Sequence, residues 1–288
     1  VGNPLLDIFG SKEHSFHGMG REDIDVRCLG RGRPFVIEMK KPVKRNIEAS
    51  VMMAAINDAA DGQIEVSDMR HSNRSEVVRV KDTPAEKSYT IRFKIEAATQ
   101  DEMNELTKVL EIPKEDKRGR NRRRQRRPHP NSRKEEVKAE VDLSTLSKAE
   151  LVAICEGKEL PKSGTKGALI ERIQNYSEDT IPLPDQSHVL EIMQKLQGCT
   201  LAQRTPERVA HRRADKIRKR KVMQTSGAKV EVGKDGRMYG EFSLRCESGT
   251  YVKETIHGDG GRTQPSVSSL IGALCTVEWL DVADIHAD

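Results

Sequence analysis

Lys117 to Lys134, near the middle of this chain, contain no apolar side chain except two prolines, and ten of these residues are Lys or Arg with no acid among them. Such a stretch has nothing to bury, so it is expected to be disordered. Whatever core the 288 residues build must be assembled from the segments on either side. The stretch reads as a solvated linker, as a phosphate-contacting arm or as a nuclear localisation signal. A second basic segment, residues 201–230, holds ten Lys or Arg against two acids. The whole chain is only +5, so the remainder is net acidic and the excess positive charge sits in two places. That asymmetry points to contact with a polyanion at defined positions. If the second segment is helical, Arg204, Arg208, Arg212 and Lys216 share one face at four-residue steps.

Only 3% of the residues are aromatic, so a core must rest on Val, Ile, Leu and Met. No apolar run approaches the length of a membrane span, and no membrane association is expected. The five cysteines (28, 155, 199, 246 and 275) are widely spaced, with no Cys-x-x-Cys and no histidines at ligand spacing. Neither a metal site nor a disulfide framework is expected, and a reducing compartment, nucleus or cytoplasm, fits better. The chain starts at Val1 without a signal-peptide pattern, as a fragment or a processed form would.

Periodicity outlines the elements. Ile24, Val26 and Cys28 alternate with Asp25 and Arg27, and Phe35–Met39 follows a Gly-Arg-Gly-Arg-Pro turn, which predicts two strands. Residues 46–70 read as an amphipathic helix. Val77–Val80 and Tyr89–Ile95 read as strands, and Asp101 as the cap of a helix through Leu110. Leu146–Cys155 and Lys166–Ile173 are predicted helices on either side of a Leu-Pro-Lys-Ser-Gly-Thr-Lys turn. Val189–Leu196 and Ser266–Leu274 are further helices. Strands are predicted at Ala228–Val232, Met238–Cys246 and Thr276–Leu280.

The stretch with the most chemical content is His17-Gly-Met-Gly-Arg-Glu-Asp23. Two glycines in four residues let the backbone take positive φ and approach a ligand closely. A carboxylate then sits on a glycine-shaped loop beside an arginine. Most such strings are solvated turns, so the loop alone decides nothing.

The loop resembles the Gly-Arg-x-Asp catalytic loop of the pseudouridine synthases. The longer run from Phe16 to Phe35 is similar to one branch, the archaeal and eukaryotic tRNA pseudouridine synthases acting on uridines 54 and 55 of the TΨC arm. The resemblance continues at Lys87-Ser-Tyr89, Gln203-Arg-Thr-Pro206 and His211-Arg-Arg-Ala214. It recurs at Gly249-Thr-Tyr-Val-Lys253 and at His257-Gly-Asp-Gly-Gly-Arg-Thr-x-Pro-Ser266. Members of that branch usually carry an additional N-terminal RNA-binding domain with zinc-ligand cysteines, which these residues do not include. Separately, the helix–turn–helix of 141–178 resembles the SAP motif, a two-helix nucleic-acid-binding module; a helical hairpin with a structural role is the plainer reading.

The resemblance implies an α+β fold, a mixed and largely antiparallel sheet with flanking helices, plus a small inserted helical module. Residues 1–112 and 179–288 are then two parts of one catalytic domain, 113–140 a basic disordered linker and 141–178 the SAP-like module. It implies an isomerase that needs no cofactor. Asp23 matches the catalytic aspartate, as nucleophile or as base for the 2′-proton. Tyr89 matches the tyrosine that stacks on the uracil, and Lys253 the basic partner of the aspartate. Arg21 is expected to enter the stack vacated by the flipped nucleotide, and Leu270 to form an apolar wall under the uracil. Arg204, Arg208, His211, Arg212 and Arg213 are expected to grip the tRNA arm, with Arg262 as a further phosphate ligand. The expected partners are tRNA and, through the SAP-like module, DNA or another RNA; the chain is expected to be a monomer. The competing reading is a catalytically silent nucleic-acid-binding protein using the module and the basic segments.

Overall fold

The computed structural model describes residues 1–111, 143–158, 160–174 and 180–287. The linker expected at 113–140, including Lys117–Lys134, and the ends of the expected 141–178 module lie outside the described residues. In chain order the first elements are α1 (Leu5–Phe9), β1 (Glu13–Gly18), β2 (Arg27–Cys28), β3 (Phe35–Lys40), α2 (Ala49–Ala59), α3 (Arg74–Asp82), β4 (Glu86–Glu96) and α4 (Gln100–Thr107). Then come α5 (Lys148–Gly157), α6 (Lys166–Gln174), α7 (Gln186–Lys195), β5 (Thr200–Arg204), β6 (Ile217–Val232) and β7 (Met238–Cys246). The last are α8 (Val252–His257), β8 (Thr263–Gln264), α9 (Val267–Ile271) and β9 (Leu274–His286). The architecture is α+β with a largely antiparallel sheet and flanking helices.

The chain divides into two compact units. The first comprises Val1–Thr90, Ser243–Gly249 and Trp279–Asp288. Here β1 and β3 form an antiparallel hairpin in register from Glu13↔Lys40 to Gly18↔Phe35. Leu5, Phe9, Met52, Ile56 and Val66 make the core beneath it, with Phe35, Ile37 and Met39 packed on top. These three are alternate residues of β3, as a half-buried strand requires. The strand order in this unit is β2-β9-β4-β7. β2 runs parallel to β9, Arg27 opposite Asp281, and the Arg27 guanidinium donates to that carboxylate at 2.8 and 2.5 Å. Gly30, at φ 64°, lies so close to the Ala283 carbonyl that a Cβ would collide with it. The turn after β2 therefore needs glycine at this position.

The second unit comprises Ile91–Phe242 and Thr250–Glu278. Its strand order is β9-β4-β7-β6-β5-β8, and β5 pairs antiparallel with both β6 and β8. Phe93 on β4 meets Phe242 on β7 edge-on, with centroids 6.1 Å apart. A separate cluster of Leu151, Cys155 and Leu169, with Leu146, Leu160 and Ile173 packed on it, joins α5 to α6. Ser147 and Glu150 cap α5 reciprocally. This helix pair is seated on the β6–β7 turn of the same unit. Arg172 on α6 donates to the carbonyls of Asp235 (3.5 Å) and Gly236 (3.2 Å), and Glu171 takes the Arg237 guanidinium.

Several sequence expectations are corrected. Val77–Val80 is part of α3, not a strand. Asn73 caps that helix by accepting from the Ser75 amide at 2.9 Å, and Val77 and Val80 face inward at a helical i, i+3 step while Val78 is exposed. Capping and burial here override the β preference of a Val-Val pair. The strand expected over Ile24–Cys28 shrinks to Arg27–Cys28: Ile24 is fully exposed and the Val26 amide closes a turn onto the Asp23 carbonyl at 3.2 Å. The helix of 46–70 ends at Ala59, ahead of Asp61 and Gly62, both at positive φ. Thr99, paired with Glu102, rather than Asp101, caps α4. Ala228–Val232 is only the end of a sixteen-residue strand.

Candidate active site

In the first unit the glycine loop leaves β1 at Gly18. The Met19 amide donates to the Pro34 carbonyl at 3.0 Å, which keeps the loop beside the chain that enters β3. Gly20 sits at φ 75°, and a Cβ there would lie 2.7 Å from Lys87 Nζ. Lys87 is buried, and its ammonium donates to Glu22 Oε1. Arg33 Nη2 donates to the same oxygen at 3.4 Å, and Arg33 Nη1 to the Gly20 carbonyl at 3.0 Å. Two cations thus hold the residue adjacent to Asp23, which is itself half-buried, while Arg21 is exposed.

Lys87 and Tyr89 are alternate residues on the buried face of β4. Tyr89 is only 4% exposed. Burial pushes its phenol pKa far above the ordinary tyrosine value, and the Glu22 charge adds to the shift. The ring is therefore a neutral, apolar surface at physiological pH. As it stands its faces are covered, so stacking a base on it requires its cover to move.

In the second unit Lys253 is half-buried in the first turn of α8. The segment before it is held by Gln203, whose amide is completely buried. Gln203 Oε1 accepts from the Tyr251 amide at 2.9 Å and its Nε2 donates to the Tyr251 carbonyl at 2.9 Å, with Thr255 Oγ1 at 3.4 Å and Thr263 Oγ1 at 3.5 Å. Glu254, also fully buried, accepts from Arg208 Nε at 2.6 Å. Burial holds the His257 pKa below the ordinary histidine value, against the pull of Glu254 and Asp259. Its Nδ1 accepts the Asp259 amide at 3.0 Å, which only the neutral ring can do.

The basic segment is not one helix. It is β5, a short turn over Glu207–Val209, an exposed loop and then β6. Arg204 and Arg262 converge on Asp215, at 2.6 and 3.4 Å, and Arg262 Nε also donates to the Thr205 carbonyl at 3.1 Å. The Arg204 guanidinium holds the Asp215 carboxyl below its usual range. Arg204, Arg208 and Arg262 thus spend their charge within the unit. His211, Arg212 and Arg213 are exposed and carry no side-chain partner among the described residues. Leu270 on α9 is 36% exposed. Asp23, Arg21 and Tyr89 belong to the first unit; Lys253, Leu270 and the basic residues of 204–213 with Arg262 belong to the second.

Glu22, Arg33, Gln203 and Glu254 were not singled out from sequence as working residues. One signal was present for the first: Lys87 falls on the buried phase of the β4 alternation, and a buried lysine requires an acid. Among the described residues no group of three or more His, Cys, Asp or Glu could hold a metal ion.

A family model described as Pus10, C-terminal, matches residues 1–158 and 142–286. The tRNA pseudouridine synthase Pus10 of Thermofilum pendens is 30% identical over 286 residues, covering 98% of this chain and 44% of that protein. The protein of the same name in Methanocaldococcus jannaschii is 29% identical over 286 residues, with 99% and 43% covered. That of Methanosphaera stadtmanae is 27% identical over 286 residues, with 99% and 48% covered. The chain spans less than half the length of these relatives. With the glycine loop, the Lys87–Tyr89 strand and the Gln203-held segment all falling inside the matched residues, the chain belongs to the Pus10 C-terminal family.

Proposed function

We propose that this chain is the catalytic part of a tRNA pseudouridine synthase that isomerises uridine 54, uridine 55 or both in the TΨC arm. The observation that carries the reading is the grip of Lys87 and Arg33 on Glu22. It gives the loop bearing Asp23 a fixed attachment to the strand bearing Tyr89, which is what a reaction depending on one carboxylate requires.

The isomerisation breaks N1–C1′, turns the uracil and joins C5 to C1′. The proton lost from C5 is matched by one gained at N1, so no redox partner or energy source is consumed. Asp23 acts either by attacking C1′ or by removing the 2′-proton; both need it ionised. Tyr89 offers the uracil an apolar ring once its cover moves, and Lys253 is the basic residue of the reaction. The exposed His211, Arg212 and Arg213 contact tRNA phosphates, while Arg204, Arg208 and Arg262 keep the surrounding loops in place. The two-helix module of α5 and α6 adds nucleic-acid affinity.

The test is to incubate the purified chain with an unmodified tRNA transcript and map pseudouridine. Product at position 54 or 55 with wild type, and none with Asp23→Asn at unchanged tRNA affinity, is the expected result. A folded chain that binds the transcript but forms no product would instead favour a purely binding protein.

A further inference from the structure

Within the first unit a cleft of about 840 Å³ opens between the β1–β3 hairpin, the segment 65–73 and α3. That lies within the span of small-ligand sites, roughly 300–1,000 Å³. Phe35, Met69 and Val77 supply apolar lining. Eight of the lining residues are Lys or Arg and four are Asp or Glu. Glu76 takes up Arg70 and Arg79, and Glu38 takes up Lys40. Arg45, Arg74 and Lys81 also line the cleft, are exposed, and have no side-chain partner among the described residues. A final link is Arg33, which belongs both to the cleft wall and, through Gly20 and Glu22, to the loop that carries Asp23.

We propose that this cleft is a subsite for single-stranded RNA, holding nucleotides next to the extruded target uridine. Their bases lie against Phe35, Met69 and Val77, and their phosphates meet Arg45, Arg74 and Lys81. The proposal rests on the reading that the chain acts on RNA. Extruding one nucleotide unstacks its neighbours, and the exposed base faces need apolar or aromatic surface. The phosphates between them need cations that are not already neutralised. Glu65 and Asp68 also line the cleft without a cation partner among the described residues, but the three unpaired cations outnumber them. Apolar lining beside that positive excess answers both needs, and Arg33 ties the position to the catalytic loop. An acidic peptide would use the cations but has no use for the apolar lining.

The test uses the full chain and a short single-stranded oligouridylate carrying 4-thiouridine. Wild type should bind it, and irradiation should cross-link it to residues 35–45 or 66–81. The R45Q/R74Q/K81Q variant should bind at least about tenfold more weakly at low salt. Its slope of log K against log salt should be smaller by roughly 2, about 0.7 for each single-strand phosphate that is no longer neutralised. These are exposed positions, and a melting curve checks the fold; if the variant is unfolded, the wild-type cross-link map decides alone. Cross-links elsewhere, or an unchanged salt slope in a folded variant, overturn the cleft while leaving RNA binding intact. Failure of wild type to bind either the oligomer or a tRNA transcript overturns the RNA reading as well. Displacement of a cleft probe by polyglutamate but not by the oligomer would make the occupant a protein.

Discussion

Lys87 and Glu22, separated by 65 residues in sequence, form an ion pair with side chains 10% and 17% exposed. The lysine comes from the buried face of β4, two residues before Tyr89, and the glutamate directly precedes Asp23. A charge in that setting costs free energy to desolvate and is kept only where it is met by its opposite. The pair therefore acts on position: it fixes the loop conformation that presents Asp23.

Lys87→Met should leave Glu22 with the more distant Arg33 alone. Removing one partner of a largely buried pair should destabilise by about 1–3 kcal/mol. The predicted functional signature is a fall in the single-turnover rate at saturating tRNA, with tRNA affinity nearly unchanged. Lys87→Met/Glu22→Gln should be less destabilised than the sum of the single variants, because the uncompensated charge is gone. Additive melting shifts in this cycle would show that the two side chains do not depend on each other.

Gln203→Leu keeps the volume but removes the bonds to both polar groups of the Tyr251 backbone. The Tyr251 carbonyl keeps the Thr255 amide at 3.1 Å and the Thr255 hydroxyl at 3.0 Å, but leaving the part-buried Tyr251 amide unsatisfied should cost about 1–3 kcal/mol. Hydrogen exchange at 250–256 should accelerate and catalysis should fall, since Lys253 lies in that segment. If exchange there matched wild type, Gln203 would not be what holds it.

His257 makes a pH prediction. Its folded-state pKa lies below the ordinary value of about 6.5. The unfolded chain therefore binds the proton more readily than the folded one. Stability is fully present above about pH 6.5 and falls as pH drops below it toward the folded pKa. Protonation also removes the acceptor for the Asp259 amide. His257→Asn should flatten the stability profile between pH 7 and 5, measured by urea unfolding. A profile as steep as wild type would exclude the imidazole as its source.

How far these relationships could be read from sequence depends on how local they are. Tyr89–Ile95 alternates strictly, and its strand was legible; Met238–Cys246 matches β7 at both ends. The Glu13–Gly18 strand was not legible, because Glu-His-Ser-Phe-His-Gly has no apolar face and pairs only through the hairpin to β3. The start of β6 was hidden by Arg218–Lys221, whose charges look like a solvated helix but occupy a strand paired with β5. Resemblance to a family singled out Asp23, Tyr89 and Lys253 as the expected site residues. It gave no account of Glu22 or Gln203, whose partners lie about 50 to 65 residues away and are brought near by topology alone.

The helix pair α5–α6 gives the last prediction, because its attachments set which deletions the second unit tolerates. A deletion of 113–184 would take out the basic linker and the two-helix module as one block. Ile181, however, belongs to the remaining structure: its amide donates to the Ala98 carbonyl at 2.7 Å, and its side chain packs on the cluster of Ala98, Met103 and Leu106. Thr180 bridges to Thr99. Deleting 113–184 should therefore melt at a distinctly lower temperature than deleting 113–179, which keeps both residues. Either deletion removes Arg172 and so exposes the Asp235 and Gly236 carbonyls of the β6–β7 turn. Those carbonyls can turn to water, so the destabilisation should be small, within about 1 kcal/mol. Arg172→Ala in the intact chain removes the same bonds, together with those to the Pro161 and Ser163 carbonyls between α5 and α6, and should loosen hydrogen exchange at 233–238 without a change in rate at saturating tRNA. The shorter deletion should raise the apparent KM for tRNA and flatten its salt dependence by roughly 0.7–0.9 for each phosphate that the basic stretch 117–134 and the helix pair had neutralised. A collapse of the saturated single-turnover rate in the 113–179 deletion, with its fold intact, would mean that the removed segment shapes the chemistry rather than the grip.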